Sequence, residues 1–326
     1  MAKGPTFPAF SSDASAAAIA AEVMGALYGD VQTHAPSAVR GEDEEAVHGM
    51  RVALRRLRTL FDAFEPSFRR RPFAKMRKQL QKVSRKLGIL RDMDVHLASL
   101  RAHRTGSTIR EAAGIDWMIA HVRAERAAGL VALQATYTSF KQSFDAGFGG
   151  ALGGDAASLE THLQILIENE LMKHVRQGER AFAGGDPRRM HRFRISGKRL
   201  RYILEVFGAT LGERTNEPYK LLSDMQDDLG QINDANTFIA LYTGLLEAMP
   251  SGDSRSCGLH ALISARTKAR RRALETARAR WELNGARPYS AALFEALFVN
   301  LPCTKTRKAK ARSNRSALAS APSSSS

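Results

Sequence analysis

The chain has 326 residues, and 49 lysines and arginines against 33 aspartates and glutamates give it a formal charge of +16. A hydrophobic fraction of 44% is normal for a globular protein and too high for a disordered one, and the length allows one large domain or two ordinary ones. No apolar run reaches the roughly 18 residues of a membrane span, no secretory signal stands at the N-terminus, and Cys257 and Cys303 are too few for a disulfide framework and suit a reducing cytoplasm.

Ala, Leu, Arg, Glu, Lys and Gln dominate, and alternating β-branched runs are missing, so the pattern predicts an all-α fold. After a flexible segment, residues 1–13, a first helix is expected from Asp13 to about Ala35, stopped by Pro36. A second begins near Gly41–Glu45, where Glu42, Asp43, Glu44 and Glu45 complement the positive end of the helix dipole, and stops before Pro66. Pro72 suits the first turn of a third helix, which runs to Leu87 or beyond. Further helices are expected at about 108–144, 157–183, 187–211, 216–248, 255–284 and 288–299. Residues 145–157 contain five glycines and read as a flexible linker between bundles at 14–144 and 158–300. Residues 301–326, with six basic side chains and four terminal serines, read as a disordered tail.

The charge is concentrated: residues 46–104 carry 16 basic and 4 acidic side chains. Like charges at that density repel, and a polyanionic partner relieves the repulsion.

The two halves repeat. At an offset of 143, His48 falls on His191, Arg51 on Arg194, Arg55 on Lys198, Arg56 on Arg199 and Arg58 on Arg201. At an offset of 142, Leu87-Gly88 falls on Leu229-Gly230 and Asp92 on Asp234. The chain therefore reads as a duplicated helical bundle.

His48, Arg51, Arg55 and Arg58 are spaced i, i+3, i+7, i+10 and share a stripe roughly 80° wide, while Met50, Leu54, Leu57, Phe61 and Phe64 form the packing face. His191, Arg194, Lys198 and Arg201 repeat the stripe. Lys75, Lys78, Lys82 and Arg85 show the same spacing on the third helix, with Met76, Leu80, Val83 and Leu87 as its apolar face. The short 65–72 connection makes the second and third helices neighbours, so both stripes are expected to face one groove. Arginine forks and lysine point charges in a row suit repeated phosphates. Nucleic-acid readers add aromatic platforms, whereas Phe61, Phe64, Phe68 and Phe73 fall on apolar positions or the turn, and Tyr202 is the only aromatic in a cationic stripe. A bare phosphate chain fits better than one carrying bases.

The blocks VHGMRVALRRLRTLF, LGILRDMDV, HRFRISGKRLRYILEVF and LGQINDAN, in that order over roughly residues 14–300, resemble the CHAD domain, the conserved histidine α-helical domain. The resemblance implies two pseudo-symmetric four-helix bundles with a basic groove or cavity, binding of inorganic polyphosphate, association with polyphosphate granules and no established catalytic activity, so a non-catalytic protein is expected. Carried onto this chain, its ligand candidates are His48, Arg51, Arg55, Arg56, Arg58, His191, Arg194, Lys198, Arg199 and Arg201; the charge pattern adds Lys75, Lys78, Lys82 and Arg85. Residues 219–228 are acidic where 77–86 are basic, so unequal contributions from the halves are expected. The triphosphate-processing domain often fused to such proteins is not expected within these residues.

Neither a cofactor nor a metal is expected. Beside arginines the protonation of His48 and His191 is disfavoured and a bound polyanion favours it; the same cations repel a metal. Asp92-x-Asp94 is a weak hint of a magnesium-dependent phosphohydrolase, its second copy being Asp234-x-Asn236; Asp92 and Asp234 are expected to cap a following helix or to pair with stripe arginines. The other alternative is a general nucleic-acid or polyanion binder, helped by the tail and Arg270–Arg272.

Overall fold

The computed structural model of the chain describes residues 4–151, 153, 157–184, 186–283 and 288–298; the 301–326 tail and residues 152 and 154–156 of the expected linker lie outside them. Among the described residues there are nine α-helices and no β-strand, so the fold is all-α. No helix among them is long and apolar enough to cross a membrane.

Helix α1, Ala16–Arg40, runs through Pro36 instead of stopping there. Ala35 and Ala38 are buried, Gln134 Nε2 donates to Val39 O at 2.9 Å, and Gly41 (φ 72°) closes the helix by donating to Ala38 O. Tertiary packing thus outweighs the roughly 3 kcal/mol that an internal proline costs. Helix α2, Glu44–Ala63, is capped by Asp43, which accepts from the Glu45 amide at 2.8 Å. A 3-10 turn at Glu65–Ser67 leads to α3, Arg70–Arg104, and α4, Ile109–Ala151. Helix α4 therefore enters the expected linker. Phe140 and Phe144 are fully buried, and Asp145 is held by Lys141 at 2.5 Å and Tyr28 at 2.6 Å; a helix so anchored extends one hydrogen bond at a time.

The second half contains α5 (Leu159–Gly184), α6 (Pro187–Leu211, capped by Asp186), α7 (Asn216–Glu247), α8 (Ser256–Glu282) and α9 (Tyr289–Phe298). Helix α1 packs on α2, α2 on α3 and α3 on α4; α5 to α8 follow the same order, and α9 leans on α7 and α8. The halves meet where α2 crosses α6, where α4 crosses α8, and at the starts of α1 and α5, tied by Ala16 N to Ala157 O (3.0 Å) and Leu159 N to Ala14 O (2.8 Å). The N-terminal segment is attached as well: the Phe10 amide donates to Thr210 Oγ1 at 3.0 Å and its ring meets Phe207.

The apolar faces expected for α2 (Met50, Leu54, Leu57, Phe61, Phe64) and α3 (Met76, Leu80, Val83, Leu87) are at most 1% exposed. They join Phe193, Leu200, Ile203 and Phe207 of α6 in the main core. A smaller core, with Leu97, Leu100, Ile115, Met118, Phe238, Tyr242 and Leu259, knits the far ends of α3 and α4 to α7 and α8.

There α4 and α8 touch backbone to backbone: a Cβ on Gly258 would run into Glu111 O and lie 3.0 Å from the Gly114 Cα. Gly258→Ala should therefore destabilise the protein by roughly 1–3 kcal/mol, as overpacking does. A lower urea midpoint at unchanged slope checks this; an unchanged midpoint contradicts the close crossing.

Candidate functional site

Helices α2 and α6 each carry two adjacent cations, Arg55-Arg56 and Lys198-Arg199, and successive residues point about 100° apart. One of each pair turns inward. Arg56, 5% exposed, is ion-paired with Glu205 of α6. Arg199 pairs through Nε with Glu170 at 2.7 Å and reaches Asp62 of α2 at 3.8 Å. Asp62 and Glu205 are themselves related by the repeat, as are Arg56 and Arg199, so each copy's arginine meets the other copy's carboxylate. Arg201 reaches Glu205 at 3.7 Å, donates to the Tyr219 hydroxyl at 3.1 Å and lies 4.8 Å over the Tyr202 ring. Arg77 adds a 2.9 Å pair with Asp62. Of the residues expected among the ligand contacts, Arg56 and Arg199 thus form the joint between the halves, and Arg201 is engaged beside it with Glu205 and Tyr219.

Of the outward members, Arg55 lines a cavity and Lys198 lies close to it, outside the lining. The cavity, of about 190 Å³, is lined by His48, Arg51, Val52 and Arg55 of α2, Arg91, Asp92 and Val95 of α3, Arg194 of α6, and Asn233, Asp234, Thr237 and Phe238 of α7. Arg51 with Arg194, Asp92 with Asp234, Arg91 with Asn233 and Val95 with Thr237 are repeat equivalents, so both copies build its wall. Four arginines face two aspartates. Arg51 Nη1 donates to Asp92 Oδ1 at 2.5 Å and to Gly88 O at 3.1 Å. His191 is exposed and its Nδ1 lies 2.7 Å from Asn233 Oδ1, at the edge of the same wall.

The remaining cations here lack such partners. Among the described residues neither Arg55 nor Arg194 has a carboxylate within ion-pair reach, and the Nε of Arg194 is buried without an acceptor. Burial, then the charge of Arg51, pulls the Arg55 guanidinium down to about 10; burial also lowers Arg194. The strongest effect falls on Lys198. Burial, then Arg55, Arg194, Arg51 and Arg201, bring its ammonium from an ordinary 10.5 to about 5, so the amine is neutral at pH 7. His48 is held below its usual range by burial and then by Arg91, with Glu45 opposing.

The α3 stripe does not join this cavity as a row. Lys75, Lys78, Lys82 and Arg85 are all exposed, and Lys75 lines a separate groove with Ser139, Gln142 and Ser143 of α4. The face of α3 turned to α2 carries Arg77, Gly88, Asp92 and Val95; Lys75 and Lys82 lie roughly 120–140° around the helix from it, Lys78 and Arg85 roughly 60–80°. The expectation of one groove shared by both stripes is corrected accordingly. Arg58 continues the α2 stripe, half-exposed, beyond the cavity lining. Asp92 and Asp234 sit inside α3 and α7, so neither caps a helix; Asp92 makes the expected arginine pair. Arg91, Asn233, Thr237 and Phe238 are additions. Arg91 stood beside Asp92 in the repeated block, which was the available signal.

Asp92 and Asp94 do not converge. Asp92 faces Arg51, whereas Asp94 is 1% exposed and bound to Arg126 of α4 at 2.5 Å. Among the described residues no group of three or more His, Cys, Asp or Glu side chains could hold a metal ion.

A family model described as the CHAD domain matches residues 22–243. Among solved structures, the chain is similar to the CHAD domain from the plant Ricinus communis, with a TM-score of 0.63 and 22% identity over 92% of this chain and 98% of that one. It is also similar to PptA from Streptomyces chartreusis, with a TM-score of 0.60 and 16% identity over 80% of this chain and all of that one. At such identities the likeness speaks to the fold. The comparison with curated proteins gave no match.

The lowered Lys198 has a consequence for stability. Between about 5 and its ordinary 10.5 the unfolded chain holds a proton that the folded chain does not, so this group makes stability rise with pH across that interval. Lys198→Met should raise the unfolding midpoint at pH 6 by roughly 2–4 °C and flatten its rise toward pH 9. Parallel melting profiles for the two proteins contradict the burial of the amine among cations.

Proposed function

The chain belongs to the CHAD domain family, and on that premise we propose that it binds inorganic polyphosphate in the cavity between α2, α3, α6 and α7 without turning it over, as a binding or granule-targeting protein of the cytoplasm. The observation that carries the reading is the convergence of Arg51, Arg55 and Arg194 from both repeat copies on one wall, with Lys198 close behind them in their field and carboxylates too few to neutralise them.

A desolvated cation without a counter-ion is costly. Phosphate oxygens supply the missing acceptors, and arginine forks bind them in charge-assisted pairs. A phosphate chain also returns a proton to Lys198 and to His48, since a nearby anion favours both charged forms. The cavity offers little to a base. Phe238 is stacked on His96 (4.3 Å between ring centres) and covered by Arg266 at 4.8 Å, while Tyr202 is 4% exposed beneath Arg201. This favours bare polyphosphate over nucleic acid. The divergence of Asp92 and Asp94 favours binding over phosphohydrolysis. Granule targeting follows from the same chemistry, because a granule presents the chain at high density.

Competition against a fluorescent polyphosphate probe tests the reading. At equal phosphate concentration and moderate salt, unlabelled polyphosphate should displace the probe far better than single-stranded DNA; parity indicates a general polyanion sponge. Arg51→Glu with Arg55→Glu should weaken binding roughly a hundredfold or more, at a salt-dependent affinity, and more than deletion of residues 302–326. The reverse ranking places the site in the tail.

A further inference from the structure

Beyond the cavity, the side of α8 facing α7 carries two arginines that the function so far does not use. Arg266 reaches across α7: its guanidinium lies 4.8 Å over the Phe238 ring and bonds the Ser99 hydroxyl of α3. Phe238 and Val95 are cavity wall, and Ser99 stands one turn beyond Val95 on the same face of α3. Arg266 therefore stands one turn past the cavity wall, at the rim of the smaller core. One turn further along α8, Arg270 Nη1 donates to Asn236 Oδ1 at 3.2 Å.

Among the described residues, both guanidinium groups are half-buried and neither has a carboxylate within ion-pair reach. A hydroxyl, an amide oxygen and an aromatic face hold them in place. Those groups orient a fork without neutralising it. Elsewhere in this chain, half-buried arginines such as Arg280 and Arg126 have aspartates. A half-buried cation fixed by neutral partners is arranged for an anion that arrives from outside.

We propose that Arg266 and Arg270 form a second phosphate-binding station on α8, which takes the continuation of a polyphosphate chain whose first phosphates occupy the cavity. This rests on the polyphosphate reading and adds a direction to it: the chain leaves the cavity along α3 and α7 toward α8. A short chain fills the cavity alone, while a long one reaches both stations. Affinity then grows with chain length through a specific pair of residues and not through net charge alone.

The test measures binding of tripolyphosphate and of long-chain polyphosphate by isothermal titration across a salt series. The wild-type protein is compared with Arg266→Met plus Arg270→Gln, and with Lys268→Gln plus Arg271→Gln. Lys268 and Arg271 are exposed on another face of α8, so the second variant removes the same charge elsewhere. The station predicts that the first variant binds long chains roughly tenfold more weakly. Its salt slope for long chains should fall by roughly two contacts, with tripolyphosphate unaffected and the control variant unchanged for both. Arg270→Gln alone and Arg266→Lys, which keeps the charge but loses the fork, cover the case in which the double variant unfolds; each should show a partial loss confined to long chains. Equal weakening of short and long chains, an equal effect in the control, or undiminished long-chain binding overturns the station while leaving the cavity reading intact. Failure of the wild-type protein to bind either chain overturns both.

Discussion

The crossing of α2 and α6 is the constraint from which the rest of the molecule follows. At that crossing Arg56 meets Glu205 and Arg199 meets Asp62, so each repeat copy's arginine is neutralised by the other copy's acid. The exchange fixes the two helices relative to each other. It also settles, by a rotation of 100° per residue, that Arg55 and Lys198 point the other way. One face of each helix is the joint and the next is the cavity wall. A repeat whose halves faced apart would leave two ordinary charged helices.

The cavity carries an energetic cost that the joint helps to bear. Arg55, Arg194 and Lys198 are partly withdrawn from water in each other's field, with Asp92 and Asp234 as the counter-charges of the wall. Lys198 responds by giving up its proton. Such an arrangement lowers the stability of the free protein and raises that of a complex with an anion, since a ligand that binds only the folded state stabilises it. Two apolar cores, the shared main one and the smaller one at the far end, offset that cost with burial. On the proposed function, stability and ligand affinity are set against each other at Lys198, as they commonly are where function needs an unneutralised charge.

Much of this was legible in the sequence because periodicity and duplication are local signals. The apolar stripe of α2, the bounds of α6 at Pro187 and Leu211, and the pairing of His48 with His191 and of Arg51 with Arg194 follow from spacing alone. Pro36 misled because its cost is local while the compensation, packing beside α2 and the Gln134 bond from α4, is tertiary. The glycines after Asp145 misled for the same reason. Adjacent arginines were the harder case. Composition cannot say which of Arg55 and Arg56 turns into the joint, because the answer lies in Glu205, 149 residues further on. Lys75 and Lys82 share the spacing of the α2 stripe but sit on a face of α3 that the packing turns away.

The most direct test of the central division, joint arginines against cavity arginines, is the Nε–Hε region of a nitrogen-15 NMR spectrum recorded with and without tripolyphosphate. Arg194 and Arg55, which line the cavity and among the described residues have no carboxylate within ion-pair reach, should shift on binding. Arg56, paired with Glu205 across the joint, and Arg199, held by Glu170 and reaching Asp62, should stay where they are. Shifts confined to Arg56 and Arg199, or none at Arg55 and Arg194 under saturating ligand, would contradict the account.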